Sequence, residues 1–306
     1  DFERRVTELN LLDVFNMQGK NTFFIPVNQA LNSLRGEQDL IDKQVIHGHI
    51  VPGKVLFTRT VQNPNDQSES LAFTDNLKVF ISMENVTSGS EEGKTFYVKS
   101  NTVAGDVSHN KGTVIARIVK GNIPVKNGVV HLIDRPLMVV ASSIMSYLQE
   151  EGGQLSRFHE LMREHYPDLT HLLVVERDLT LFAPSNVAFD KVNAERLREV
   201  VLNKERLGKL LNLHIIKRRL TTDEIVDRSV HEIFQEETMS NGRKLYFAVN
   251  QPKAVVPVIS LEGGGVNATV TTPDIAAKNG VIHIIDHILG IPSQTVYVKL
   301  STDPML

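Results

Sequence analysis

Two periodicities divide the chain. Leu155, Phe158, Leu161 and Met162 fall at i, i+3, i+6 and i+7, and Leu207, Leu210, Leu211 and His214 at i, i+3, i+4 and i+7, so each set lines one face of a helix. Residues 77–83, 113–119, 244–249 and 254–259 are instead short β-branched and apolar runs that read as strands. Residues 22–26, Thr-Phe-Phe-Ile-Pro, form a buried strand stopped by Pro26, after which Asn28 supplies a helix cap; Ser185-Asn186 does the same after Pro184. Asn241-Gly242, Lys126-Asn127-Gly128 and Lys278-Asn279-Gly280 read as turns, because Asn and Gly tolerate positive φ at low cost.

The pattern occurs twice. Residues 22–31, TFFIPVNQAL, return as 180–189, TLFAPSNVAF; His49-Ile50-Val51 returns as His214-Ile215-Ile216; and 126–134, KNGVVHLID, returns as 278–286, KNGVIHIID. An ordered triple repeat fixes two domains without appeal to any fold. The boundary falls near 137–141, giving residues 1–138 and 139–306, each an α+β domain with its helical first half separated from its strand-rich second half. About 40 residues precede the block in the second copy and 21 in the first, so the first copy reads as clipped at its N-terminus.

Composition narrows the function. At 41% apolar and 23% charged residues in 306, the chain should fold into globular domains. A net charge of −3 gives no electrostatic reason to bind nucleic acid or anionic lipid, and the absence of Cys removes disulfides, thiolate metal sites and cysteine nucleophiles. No stretch reaches the ~18 apolar residues of a membrane helix. The chain starts at Asp1 without signal peptide or lipidation motif, as a processed fragment does.

Candidate chemistry is sparse. Residues 89–95, GSEEGKT, have one residue too few between the glycines for a phosphate loop and two glutamates where phosphate would sit, so they read as a hairpin loop; Gly263-Gly264-Gly265 is likewise a turn. His47 and His49 on a strand would share a face and could start a metal site, but Asn212 replaces His47 in the second copy. His131 with Asp134, and His283 with Asp286, invite a charge relay, yet strand alternation places them on opposite faces. Ser185 is Val27 in the first copy, so the alternative from another class, a hydrolase, has no constellation present in both copies. His49, His131, His214 and His283 therefore read as structural, with no catalytic residue, metal or cofactor. Asn85-Val86-Thr87 and Asn267-Ala268-Thr269 have the form of N-glycosylation acceptors.

The three repeated blocks resemble those of the fasciclin-type domain, in order and spacing, over nearly the whole chain. The resemblance implies tandem domains, each a wedge of β-strands packed with several α-helices. It further implies an extracellular cell-adhesion protein, not an enzyme, lipid-anchored through a segment outside these residues. Its expected partners are cell-surface or matrix proteins, including the same protein on another cell, engaged through multivalent contacts. Asp274-Ile275 is similar to an Asp-Ile motif proposed for integrin recognition in matrix members of the family, which makes an integrin ligand the alternative. The first copy has Asn122-Ile123 there, and the competing reading is that Ile123 and Ile275 are core plugs whose polar neighbour ends a strand. A Tyr-His pair linked to adhesion in the family is Gly48-His49 and Leu213-His214 here.

Overall fold

The computed structural model describes every residue except 33, 35–36, 61–65, 88–93, 151–152, 230–232, 251–257 and 293–306. The chain divides into two compact units, Asp1–Ala141 and Ser142–Leu306. In the first, α1 (Phe2–Glu8) and α2 (Leu12–Phe15) precede β1 (Asn21–Pro26), α3 (Asn28–Asn32), α4 (Lys43–Gly48) and β2 (Ile50–Val51). Strands β3 (Gln67–Glu69), β4 (Lys78–Thr87), β5 (Lys94–Ala104), β6 (Gly112–Val125) and β7 (Gly128–Ile133) follow. The second unit opens on α5 (Ile144–Leu148), α6 (Ser156–His165) and α7 (Pro167–Val175) before β8 (Leu179–Pro184). It continues through α8 (Asn186–Asp190), α9 (Ala194–Leu202), α10 (Lys204–Leu213), β9 (Ile215–Ile216) and α11 (Thr222–Arg228). Its strand half is β10 (Phe234–Glu237), β11 (Lys244–Asn250), β12 (Val258–Gly263), β13 (Val266–Ala277) and β14 (Gly280–Ile285).

Both units are α+β and share one topology. In the first, β3, β4, β5 and β6 form an antiparallel meander, β6 continues antiparallel with β7, β7 runs parallel to β1, and β1 closes on β2. In the second, the same path runs β10, β11, β12, β13, β14, β8, β9. The long strands β6 and β13 belong to both halves of their wedge. Register shifts after Ile118 and Lys120, and after Val270 and Thr272, turn them from one half to the other, as bulges do by adding an unpaired residue and local twist. The parallel pair β8–β14 is buried at every position, which is why these strands read as continuous apolar runs rather than alternating ones. Phe182, Leu213, Phe234, Phe247, Leu261 and Ile285 pack between the two halves of the second wedge; Phe24, Val51, Ile81, Val98, Ala116 and Ile133 do so in the first.

Several local expectations change. His47 lies in α4 and His49 caps that helix, so the two are not neighbours on a strand. Ser185 caps α8 by accepting from Ala188 N, but Asn186 turns away: its Oδ1 accepts from Arg157 N at the start of α6 and its Nδ2 donates to Gly153 O. The Lys-Asn-Gly triplets do close the β6–β7 and β13–β14 hairpins, yet neither Asn127 nor Asn279 has positive φ. Their side chains tie the hairpin to the leading helices instead. Asn279 accepts from Ile144 N (2.9 Å) and donates to Leu173 O (2.7 Å), and Asn127 donates to Phe15 O and Met17 O (2.9 Å each). Residues 254–257 and most of the 89–95 loop lie outside the described residues; the strands flanking that loop pair antiparallel from Thr87 and Lys94. Gly263-Gly264-Gly265 is the β12–β13 turn, with Gly264 and Gly265 at positive φ.

Candidate functional site

The four motif histidines are built as two matched pairs. A helix leaves its last carbonyls without intrahelical donors, and α4 and α10 each end in a histidine whose ring folds back on such a carbonyl. His49 Nδ1 donates to Val45 O at 2.7 Å, and His214 Nδ1 to Leu210 O at 2.9 Å. The other nitrogen accepts from the chain after the last strand: Leu137 N to His49 Nε2 at 2.9 Å, and Leu289 N to His214 Nε2 at 3.1 Å. Both rings are 0% exposed and lie against Phe2 and Phe158 respectively. One donor and one acceptor per ring require the neutral Nδ1–H tautomer. Burial pushes both rings down to about 4, with the carbonyl partners opposing the shift.

His131 and His283 use the opposite tautomer. Nε2 donates to Leu56 O and to Leu220 O, each at 2.8 Å, while Nδ1 accepts from Asn122 N at 3.3 Å and from Asp274 N at 3.2 Å. The rings stack on Phe24 and Phe182, with centroids 5.3 and 5.0 Å apart. Burial lowers the pKa of His131 against the pull of the Leu56 carbonyl. Asp134 and Asp286 bind elsewhere: their Oδ1 atoms accept from Arg117 N (2.8 Å) and Thr269 N (2.7 Å), fastening the end of the last strand across its neighbour. Each His–Asp pair thus serves two separate backbone connections rather than a shared proton.

Asp274 occupies the bulge of β13 at φ 54°, and Asn122 the corresponding bulge of β6 at φ 60°. Neither ends its strand, as the sequence suggested; both sit where it bends. Asp274 Oδ1 accepts from Thr222 N at 2.9 Å and Oδ2 from the Thr222 hydroxyl, so its carboxylate holds the first turn of α11. Asn122 accepts from Thr58 N at 3.0 Å and donates to Thr58 Oγ1 at 2.6 Å. Ile275 is 1% exposed, whereas Ile123 is only partly buried. A metal-dependent integrin contact through Asp274 would have to withdraw the carboxylate from α11.

The remaining sequence candidates are scattered. Asn85 on β4 and Asn267 on β13 are both exposed, each in its own unit. Gly48 has no room for the side chain that precedes the histidine in the family, since a Cβ there would lie 2.1 Å from Met138 Sδ, and Leu213 is fully buried. Sequence reasoning missed His109. Its ring, 7% exposed, joins Asp106 (Nδ1 to Oδ1, 2.8 Å) to Asp42 (Nε2 to Oδ2, 3.1 Å), the residue that caps α4 through Val45 N. The available signal was the turn itself, because Asp106 Oδ1 also accepts from Ser108 N and His109 N at 2.8 Å. Among the described residues no group of three or more His, Asp or Glu could hold a metal ion, and no helix is long and apolar enough to cross a membrane.

The repeated wedge is that of a known domain. The family model described as "Fasciclin domain" matches residues 1–139 and again 153–292. The chain belongs to the fasciclin domain family, as a tandem pair. It is similar to Fasciclin-1 of Schistocerca americana, at 44% identity over 309 residues, and of Drosophila melanogaster, at 40% over 310. Each alignment covers 100% of this chain but only 45% and 46% of those proteins, so the chain spans about half their length. Human periostin is 27% identical over 93% of this chain and 30% of its own length. Among solved structures, the FAS1 domain pair from the insect cell adhesion molecule Fasciclin I has the same fold. Its TM-score is 0.56 at 18% identity, covering 94% of this chain and 95% of that one.

Proposed function

We propose that the chain is an extracellular cell-adhesion module that works through multivalent protein–protein contacts at the cell surface, without a catalytic step. It would be held there by a lipid anchor belonging to sequence outside these 306 residues. The observation that carries this reading is duplication: two units of one topology stand in one chain, in a family whose solved pair comes from a cell adhesion molecule. Repetition converts weak contacts into avidity, so a monovalent Kd on the order of micromolar or poorer can still hold an array. Partners would be cell-surface or matrix proteins, a second copy of the chain on an opposing cell included. The ring nitrogens of all four motif histidines are engaged by backbone groups, which favours a structural over a catalytic role for them. Glycans at Asn85 and Asn267, both exposed, fit the same setting.

Beads coated with the chain at graded density test the reading. Aggregation should rise steeply with density and be weakly inhibited by soluble chain; aggregation proportional to density, or none with either self or cell membranes, would refute it. Asp274→Ala separates this from integrin binding. It should cost the second unit about 1 to 2 kcal/mol, the loss of a helix-capping acceptor, and leave bead or cell attachment intact below the melting temperature. Loss of attachment in a folded variant, together with loss on chelating divalent cations, would establish the integrin alternative.

A further inference from the structure

The second unit carries a cationic cleft that none of the roles above uses. Residues 196–219 hold eight Lys or Arg against two Glu, in a chain whose net charge is −3. Part of that charge is committed internally: Arg218 bonds Glu224 and Glu236 at 2.8 Å, and Arg219 lies 3.6 Å from Asp178. Arg206 and Lys209 instead line a cleft of about 260 Å³ whose other walls are Leu210, Arg243, Gly264 and Gly290. Two carboxylates lie near. Glu205 pairs with Lys209 at 2.6 Å, and Glu262 accepts from Gly265 N at 2.7 Å. Among the described residues no carboxylate pairs with Arg206 or Arg243, so the two guanidiniums carry the uncompensated charge.

The backbone fixes both arginines. Arg206 lies in the first turn of α10, where its N–H is capped by Asn203 Oδ1 at 3.0 Å. Arg243 sits in the tight β10–β11 turn, its N–H donating to Ser240 O and its carbonyl accepting from Thr238 N and Thr238 Oγ1. Gly264 and Gly290 supply the concave floor at positive φ, packed so closely that a Cβ on Gly264 would lie 2.9 Å from Gly290 Cα. Matching His49 to His214 places Ile41 and Gln44 of the first unit where Arg206 and Lys209 stand, so the cleft is a property of the second unit alone.

We propose that this cleft binds the sulfate group of an extracellular sulfated glycan. A guanidinium presents a planar fork of donors that matches a tetrahedral oxyanion, and two such forks without a carboxylate partner line this one cleft. The opening has room for a sugar residue but not for a folded partner. Sulfate is preferred to phosphate because the assignment rests on the extracellular setting proposed above. The glycan contact and the protein–protein adhesion are separate, since beads in glycan-free medium report only the latter.

The test uses the full chain with a heparin tetrasaccharide, its desulfated counterpart and inorganic phosphate, by calorimetry at several salt concentrations. The sulfated tetrasaccharide should bind and the desulfated one should not. Arg206→Gln with Arg243→Gln should weaken binding by about tenfold or more, as loss of charge-assisted bonds does. It should also reduce the slope of log K against log salt by about two contacts, with thermal unfolding unchanged. Lys120→Gln with Lys126→Gln, exposed positions of the first unit, should alter neither. The proposal is overturned if the chain does not bind the sulfated probe, if the arginine variant binds within twofold of the parent, if the desulfated probe binds equally, or if phosphate binds in its place.

Discussion

Gly280→Ala should unfold the second unit while leaving the first folded. Gly280 pairs with Leu179 at the start of the parallel β8–β14 pair, and a Cβ on it would lie 2.1 Å from Leu179 O and 2.8 Å from Ile144 Cδ1. The first contact is with backbone and cannot be relieved by a rotamer change. The strands must separate, and with them the hydrogen bonds that hold a pair buried at every position. The cost should be about 4 kcal/mol or more, in the range reserved for overpacking combined with lost buried hydrogen bonds. Gly128 is the counterpart in the first unit, where a Cβ would lie 1.8 Å from Asn21 O and φ is +151°, and its alanine variant should unfold that unit instead. Gly242→Ala is the control: φ there is +71° but nothing lies within 4 Å, so it should cost only the ~1–2 kcal/mol of a left-handed L-residue. Calorimetry of the intact chain would show one of two transitions lost in each of the first two variants. A Gly280→Ala protein that melts like Gly242→Ala would mean that the close approach does not constrain the strands.

These glycines show where the sequence was legible and where it was not. The Lys-Asn-Gly triplets announced hairpins, and hairpins form there, but positive φ at Asn was the wrong cause. The asparagine amides bond carbonyls of helices about 100 residues away in sequence, as Asn279 does with Leu173, and no local pattern records such a contact. The strand Thr-Phe-Phe-Ile-Pro and the leucine faces were readable because burial imposes a period on neighbouring residues. His49, His131, His214 and His283 could be recognised as repeated and apolar in context, but their backbone partners could not. Asp274 illustrates the limit. Its place before the Lys-Asn-Gly turn offered an integrin-type motif or a polar residue ending a strand beside a core plug; the structure puts it in the bulge that bends β13, with its carboxylate bonded to Thr222. Bulges arise from the need to share one strand between two sheet layers, a tertiary demand with no short-range signature. The His109–Asp42 contact was invisible for the same reason, since 67 residues separate the partners.

Stability should fall steeply between pH 6.5 and about 4, with most of the fall above the pH at which ordinary carboxylates titrate. His49 and His214 each drop from 6.5 to about 4 on folding because their neutral rings are sealed from water. The unfolded chain therefore binds a proton at each site in this interval that the folded chain excludes, and ∂ΔG/∂pH is positive. The stabilisation is complete above pH 6.5 and is lost as pH falls toward 4. The loss is ~1.4 kcal/mol per pH unit per histidine once the unfolded ring is charged, or about 3 kcal/mol for each across the window. One such histidine lies in each unit, and domain stabilities are typically about 5–15 kcal/mol, so both units should weaken together. His131, shifted in the same direction, steepens the fall in the first. Asp286, whose pKa is lowered against burial by Thr269 N–H and His287, acts in the same sense but below this interval, its contribution being lost as the carboxylate takes up its proton. Urea titrations at pH 7.5, 6 and 5 would measure the slope. His214→Asn should lower the stability of the second unit at pH 7.5 by about 2 to 4 kcal/mol, through a cavity and an unpaired Leu289 N–H. It should also flatten that unit's pH dependence, leaving the first unit's slope unchanged. Equal stability of the parent chain at pH 7.5 and 5 would show that the rings take up protons in the folded state, and the buried tautomers assigned to His49 and His214 would be wrong.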